Sequence, residues 1–175
     1  MSNLREVDSN GLNLNIFSTF LKDTPLITAG SADRLNTMTI GWGMLGTIWN
    51  KNAGTFYVRP CRYTHDFLTA NDTFSISILP PRYREVLTLC GTTSGRDTDK
   101  ISAAGLTVAY DVAPYFEEAD RVMILRKMYT DAFKTEGFVG SGCEHYDTYY
   151  APESAQGNLL PHDLFIGEVI KLLEK

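Results

Sequence analysis

L-N-T-M-T-I-G-W-G-M-L-G-T-I-W-N-K-N-A-G-T-F-Y-V-R-P-C-R-Y-T, residues Leu35 to Thr64, reads as two extended segments joined by a turn. Thr37-Met38-Thr39-Ile40 opens a β-branched, apolar run that carries through Gly41-Trp42-Gly43 to Trp49. Asn50 to Gly54 has turn chemistry, and Thr55 to Arg59 is a second strand stopped by Pro60. Polar residues stand at both ends of the unit: Asn36, Thr37 and Thr39 at one, Arg59, Arg62 and Thr64 at the other. A hairpin or barrel corner brings those ends together around something polar or anionic, which makes this stretch the expected site.

Outward from it, Pro25 to Gly30 is a short strand and Ser31 to Arg34 its turn, while residues 12–24 mix alternation with a possible helical turn. His65 to Ala70 reads as a short helix with Thr64 as N-cap and Asp66 suited to the positive end of the dipole. Phe74 to Leu79 alternates apolar and polar strictly, the period of a half-buried strand. Helical spacing returns over Arg82 to Leu89, and a second short helix spans Ile101 to Ala104 with Gly105 closing it. Leu106–Tyr110, Arg121–Tyr129 and Leu164–Ile170 are further strands. Thr130 to Pro161 is aromatic and irregular without a convincing element, the mark of a functional loop or an interface arm. Six or seven strands, two or three short helices and no βαβ alternation predict a mainly β, antiparallel barrel. With no internal repeat or linker, residues 1–175 form one domain.

Composition is that of a globular protein with a formal net charge of −5 and no basic stripe, which argues against nucleic acid as a partner. No apolar run reaches membrane-spanning length, and the N-terminal residues lack the apolar core of a secretion signal. Cys61, Cys90 and Cys143 are odd in number and unpatterned in spacing, so a disulfide framework is not expected and a reducing cytoplasm fits. The sequon Asn71-Asp72-Thr73 is then a chance match.

Gly41-Trp42-Gly43-Met44-Leu45-Gly46 is a literal G-x-G-x-x-G, but a dinucleotide fold needs a helix to open there. Thr47-Ile48-Trp49 continues as strand, so the glycines mark a bend or a close approach to the backbone. Gly91 to Arg96 lacks the Gly-Lys-Ser/Thr of a phosphate loop. Arg96 and Lys100 beside Ser94 and Gly95 nevertheless offer the donors that a phosphate or a flavin edge needs. Cys143-Glu144-His145 has no second cluster at metal spacing, and no metal site is expected. His162 either faces a pocket or caps a loop. Trp42, Trp49, Tyr57 and Tyr63 serve a core or a planar aromatic ligand.

Asn36-x-Met38-Thr39-x-x-Trp42, Arg59-Pro60-x-Arg62-Tyr63-Thr64, Cys90-Gly91-x-x-Ser94-Gly95-Arg96-Asp97-x-Asp99-Lys100 and His162-Asp163-Leu164-Phe165-Ile166-Gly167-Glu168-Val169 follow one another in order. Together they resemble the flavin reductase-like, flavoredoxin-type family of FMN-binding split barrels, from about Pro25 to the C-terminus. The resemblance implies a Greek-key split β-barrel, a homodimer and one non-covalent FMN per subunit near the dimer interface. It places Asn36, Thr37, Met38 and Thr39, with Trp42 beyond them, against the isoalloxazine. It gives Arg62 and Thr64, next to Cys61 and Tyr63, the phosphate or ribityl chain. It closes Ser94, Gly95, Arg96, Asp97 and Lys100 over flavin and phosphate. Cys61 stands where relatives carry a small hydroxyl residue, and the segment from Glu144 to Gly157 matches no part of the pattern.

The function so implied is an FMN-dependent oxidoreductase, passing electrons from NAD(P)H or a redox partner through bound FMN to an acceptor. The alternative is an FMN-binding electron carrier without turnover of its own. In either case the chemistry belongs to the flavin, and no side chain is assigned as a catalytic acid or base.

Overall fold

β3 (Leu35–Thr39) and β4 (Gly43–Ile48) are joined by only three residues, yet they stand at opposite ends of the main sheet. The computed structural model describes residues 3–151 and 160–175. Its sheet runs β3-β2-β6-β9-β10-β5-β4, with β2 Leu26–Gly30, β5 Lys51–Val58, β6 Thr73–Ile78, β9 Arg121–Ala132 and β10 Asp163–Glu174. The short β1 (Arg5–Val7) adds to the far half of β10. Three residues span about 10 Å at most. The sheet therefore has to curl until its two ends meet, and the ladder passes from one to the other across Gly41. Ile40 N–H bonds Pro25 O on the β2 side at 2.8 Å, and Trp42 O accepts from Tyr57 on the β5 side at 3.3 Å. No ladder joins β3 to β4, so the barrel is split there. The long strands β9 and β10, paired over nearly their full length through two bulges, carry the curvature.

Inside the barrel, Ile27, Phe56, Phe74, Ile76, Met123, Leu125 and Phe165 form the core. A second apolar layer covers the outer face of β2, β6 and β9. It is roofed by α3 (Arg84–Thr92), α4 (Lys100–Ala103) and the hairpin of β7 (Val108–Tyr110) with β8 (Pro114–Phe116). On the inner side α2 (Tyr63–Ala70) buries Phe67 and Leu68.

Several expectations change. The alternation in β6 does not mark a solvated face: Ser75 and Ser77 are fully buried, and Ser75 Oγ donates to Pro114 O. Short hydroxyls pass for surface residues in sequence, whereas here they fit beneath the β7–β8 hairpin. The β4–β5 turn is Trp49-Asn50, both in the left-handed region at φ 52° and 58°, and not Asn50 to Gly54. That is the two-residue geometry that matches strand twist. Gly54 lies within β5, where a Cβ would come 2.6 Å from the Phe56 ring.

Thr64 is not the cap of α2. Arg62 holds that position and makes no side-chain cap bond. Residues 12–24 resolve into α1 (Ile16–Ser18), capped by Asn15, and a π-helical turn over Thr19–Asp23. Thr130 to Pro161 is less irregular than expected: β9 runs on to Ala132, and α5 spans Gly142–Tyr149. The part of that stretch at 152–159 lies outside the described residues. Ten strands and five α-helices, counted among the described residues, exceed the six or seven and two or three expected, because β1, β8 and α1 are three-residue elements, the run from Thr37 to Trp49 divides into β3 and β4, and α5 lies in the stretch expected to be irregular. No helix among them is long and apolar enough to cross a membrane.

Candidate functional site

β3 is an edge strand, and its two faces do different things. Asn36 and Met38 share the face toward α2, where Asn36 Nδ2 donates to Thr64 Oγ1 at 2.9 Å. This bond ties the two ends of the 35–64 stretch together. Thr37 points the other way, wholly buried, with its hydroxyl 2.9 Å from that of Thr28 and donating to Ile27 O at 3.1 Å. Its side chain is therefore structural. The backbone is another matter. Ser31 and Ile40 N–H groups bond Arg34 and Pro25 carbonyls across the β2–β3 ladder. Because antiparallel pairing alternates, Leu35, Thr37 and Thr39 direct their N–H and C=O off the free edge, into the split.

Opposite that edge, α2 begins with an uncapped first turn. Arg62 and His65 N–H groups are paired within the turn, to Arg59 O and Arg62 O, while Tyr63 and Thr64 N–H stand at the open end. Free amides and the helix dipole make an anion site there. Asn36, Met38, Cys61, Arg62, Thr64 and Ser94 line a cavity of about 120 Å³ between the strand and this turn.

The loop after α3 closes it. Asp97 and Thr98 N–H both bond Ser94 O at 3.2 Å, and Arg96 N–H bonds Ser94 Oγ at 3.1 Å, which folds the loop on itself. Arg96 lies over the Tyr63 ring with its guanidinium carbon 4.6 Å from the ring centre. It is held by Asp66 at 2.8 Å and by the Cys61 carbonyl at 3.3 Å. Cys61 thus acts here through its backbone. Gly95 presses on Asn36 so closely that a Cβ would sit 2.2 Å from Asn36 Oδ1. Arg62 reaches across to donate to Gly91 O at 2.6 Å.

Lys100 does something the sequence did not announce. It is only 3% exposed, and its amine donates at 3.0 Å to both Cys90 O and Thr93 O at the C-terminal end of α3. Burial, more than the like charge of Arg62, holds that amine below the ordinary lysine range. The loop's charge-assisted donors thus begin with a structural tie. Lys100→Met is expected to cost about 1–2 kcal/mol of stability even without ligand, since two carbonyls lose their donor. Urea unfolding of the ligand-free protein measures it, and an unchanged midpoint would show the tie to be dispensable.

Trp42 stands apart from the others. It borders an apolar groove of about 690 Å³ with Phe17, Phe20, Leu21 and Met44. Its ring packs on His162 at 4.5 Å and edge-on to Tyr149 at 5.3 Å. His162 is buried, and its Nδ1 shares a 2.6 Å hydrogen bond with the Tyr150 hydroxyl. Burial, with Arg59 nearby, lowers its pKa to about 4. The expected pocket or loop-cap role for His162 resolves into an aromatic cluster that docks α5. The clue was Tyr146, Tyr149 and Tyr150 at helical spacing. Arg34, whose guanidinium covers Phe67 at 5.6 Å, was also missed although it directly precedes β3.

The flavin reductase like domain matches residues 17–175 of the chain. The chain belongs to this family. Its split barrel is similar to solved structures of low identity. Flavoredoxin from Methanosarcina acetivorans superposes with a TM-score of 0.68 at 20% identity, covering 97% of this chain and 76% of that one. The FMN-binding protein of Thermus thermophilus, with bound 1-cyclohex-2-enone, gives 0.66 at 19%, covering 97% and 80%. The NADH:FAD oxidoreductase SgcE6 of Streptomyces globisporus gives 0.63 at 15%, covering 86% and 74%. No curated protein matches the sequence significantly.

Proposed function

We propose that this flavin reductase-like protein binds FMN non-covalently in the split of the barrel and works as an FMN-dependent oxidoreductase with NAD(P)H as electron donor. One observation carries the reading: the free edge of β3 meets the uncapped N-terminus of α2 at Arg62. A flavin has a planar ring rimmed with hydrogen-bonding atoms and, one ribityl chain away, a phosphate. The outward N–H and C=O groups of Thr37 and Thr39 suit the ring rim. The amides of Tyr63 and Thr64 with the Arg62 guanidinium suit the phosphate. Ser94 and Gly95 close the site from the loop side, and Gly95 is there because nothing larger fits against Asn36.

Bound there, FMN supplies the reversible electron chemistry. The chain's own part is to orient and to exclude water. Asn36, locked between Thr64 and Gly95, fixes the spacing between strand and helix. Arg96, anchored on Tyr63, Asp66 and Cys61 O, keeps the loop down while lending positive charge. Exposed Phe17, Leu21, Trp42 and Met44 along the apolar groove support the homodimer expected for the family. Steady-state oxidation of NADH and NADPH with added FMN tests the enzyme reading. Turnover is the expected result; a bound flavin that is reduced once without turnover would leave an electron carrier instead.

A further inference from the structure

The candidate site makes no use of α5, and the helix's hold on the barrel is slight. None of its own residues is buried. Val139-Gly140-Ser141-Gly142 leads into it, with Gly140 in the left-handed region at φ 57° and open space where a Cβ would stand. Tyr146 packs on Phe138 of that leading segment. Two rings at the C-terminal end reach the barrel. Tyr149 meets Trp42 edge-on, and Tyr150, just past the helix, is buried against His162 with Arg59 over its other side at 5.7 Å. Trp42 stands three residues after Thr39 on the crossing from β3 to β4, and Arg59 three residues before Arg62. Three residues span about 10 Å at most, so α5 holds on to both walls of the split at one end.

We propose that α5 is an acid-released strap, closed over that end of the split while His162 is neutral and let go when the ring takes up a proton. The surroundings of the ring give the direction. Arg59 from the end of β5 and the Tyr150 hydroxyl behind α5 are the charged and titratable groups that face it, and Trp42 brings only its indole. Asp163, next along β10, is turned to His65 of α2 at 2.7 Å. An imidazolium there would be buried beside a guanidinium. Undocking takes Tyr150 off the ring and gives the ring water, so protons favour the released strap. The docked ring titrates at about 4 and a free histidine at about 6.5. Docking is therefore complete above pH 6.5 and is lost as pH falls toward 4. From pH 7.5 to 5 the ratio of released to docked strap rises about twenty- to thirtyfold. The inference does not depend on what the split binds.

Amide hydrogen exchange of the ligand-free protein at pH 7.5 and 5, corrected for intrinsic rates, tests it. The reporters are the Tyr150 and Ala151 N–H groups, both bonded to Tyr146 O, compared with amides of the β9–β10 ladder. Protection of the reporters is expected to fall about twenty- to thirtyfold on acidification and to stay far below that of the ladder, the mark of local release. In His162→Phe, with the ladder still protected as proof of folding, the reporters should be equally protected at both pH values. Reporters in wild type that ignore pH, or that exchange only together with the ladder, would overturn the proposal. So would a His162→Phe response equal to that of wild type.

Discussion

Gly95→Val is expected to weaken flavin binding by about thirty- to a hundredfold, the equivalent of about 2–3 kcal/mol of overpacking. The reason is local. A Cβ at position 95 would lie 2.2 Å from Asn36 Oδ1 and 3.0 Å from Asn36 Cγ. Asn36 is buried and cannot swing aside without losing its bond to Thr64. Either the 94–98 loop lifts or the strand-to-helix spacing opens, and both undo the cradle. The barrel core is untouched, so thermal unfolding of the ligand-free variant should stay close to wild type. Unchanged FMN affinity in titration would mean that the loop does not close on the ligand.

The second large effect is on stability and pH. The folded pKa of His162 lies near 4 and the unfolded value near 6.5. A histidine kept neutral by the fold contributes stability that is complete above pH 6.5. It is lost as pH falls through 6.5 toward 4, because the unfolded chain takes up the proton first. Between pH 7.5 and 5 the loss is about 2 kcal/mol, or roughly 4–8 °C in Tm for a chain of this size. The groups that face the ring are Trp42, Tyr150 and Arg59, none of which gains a carboxylate to offset the new charge. His162→Phe should be less stable at pH 7.5, where the Tyr150 hydroxyl loses its hydrogen-bond partner, yet lose less Tm on acidification. Parallel Tm–pH curves for the two proteins would remove His162 from the account.

The site was legible where its residues are neighbours in sequence. Arg62, Tyr63 and Thr64 straddle the end of a strand region and the start of a helix, and the meeting of those residues with Asn36 follows from reading Leu35 to Thr64 as one folded unit. What was lost involves pairs made only in space. Lys100 carries the charge of a ligand donor, but the nine residues after Cys90 bring it back under the last turn of α3. Thr37 belongs to the right strand on the wrong face, an outcome of the two-residue period that no single residue reveals. Trp42 meets His162 across 120 positions and leaves the predicted cluster for another. The barrel was legible from the predominance of strands and the lack of βαβ alternation. Its split came only with the family resemblance and not from the strand pattern, because the gap follows from which strands end the sheet.

The most direct measurement is calorimetric titration of ligand-free protein with FMN and with riboflavin, which share the ring and ribityl chain and differ in the phosphate. The free β3 edge facing the α2 amides and Arg62 predicts one FMN per chain, bound about ten- to a hundredfold tighter than riboflavin. Arg62→Ala should shrink that ratio by acting on FMN alone. Equal affinities for the two ligands in wild type, or no heat with either, would contradict a flavin phosphate at the N-terminus of α2.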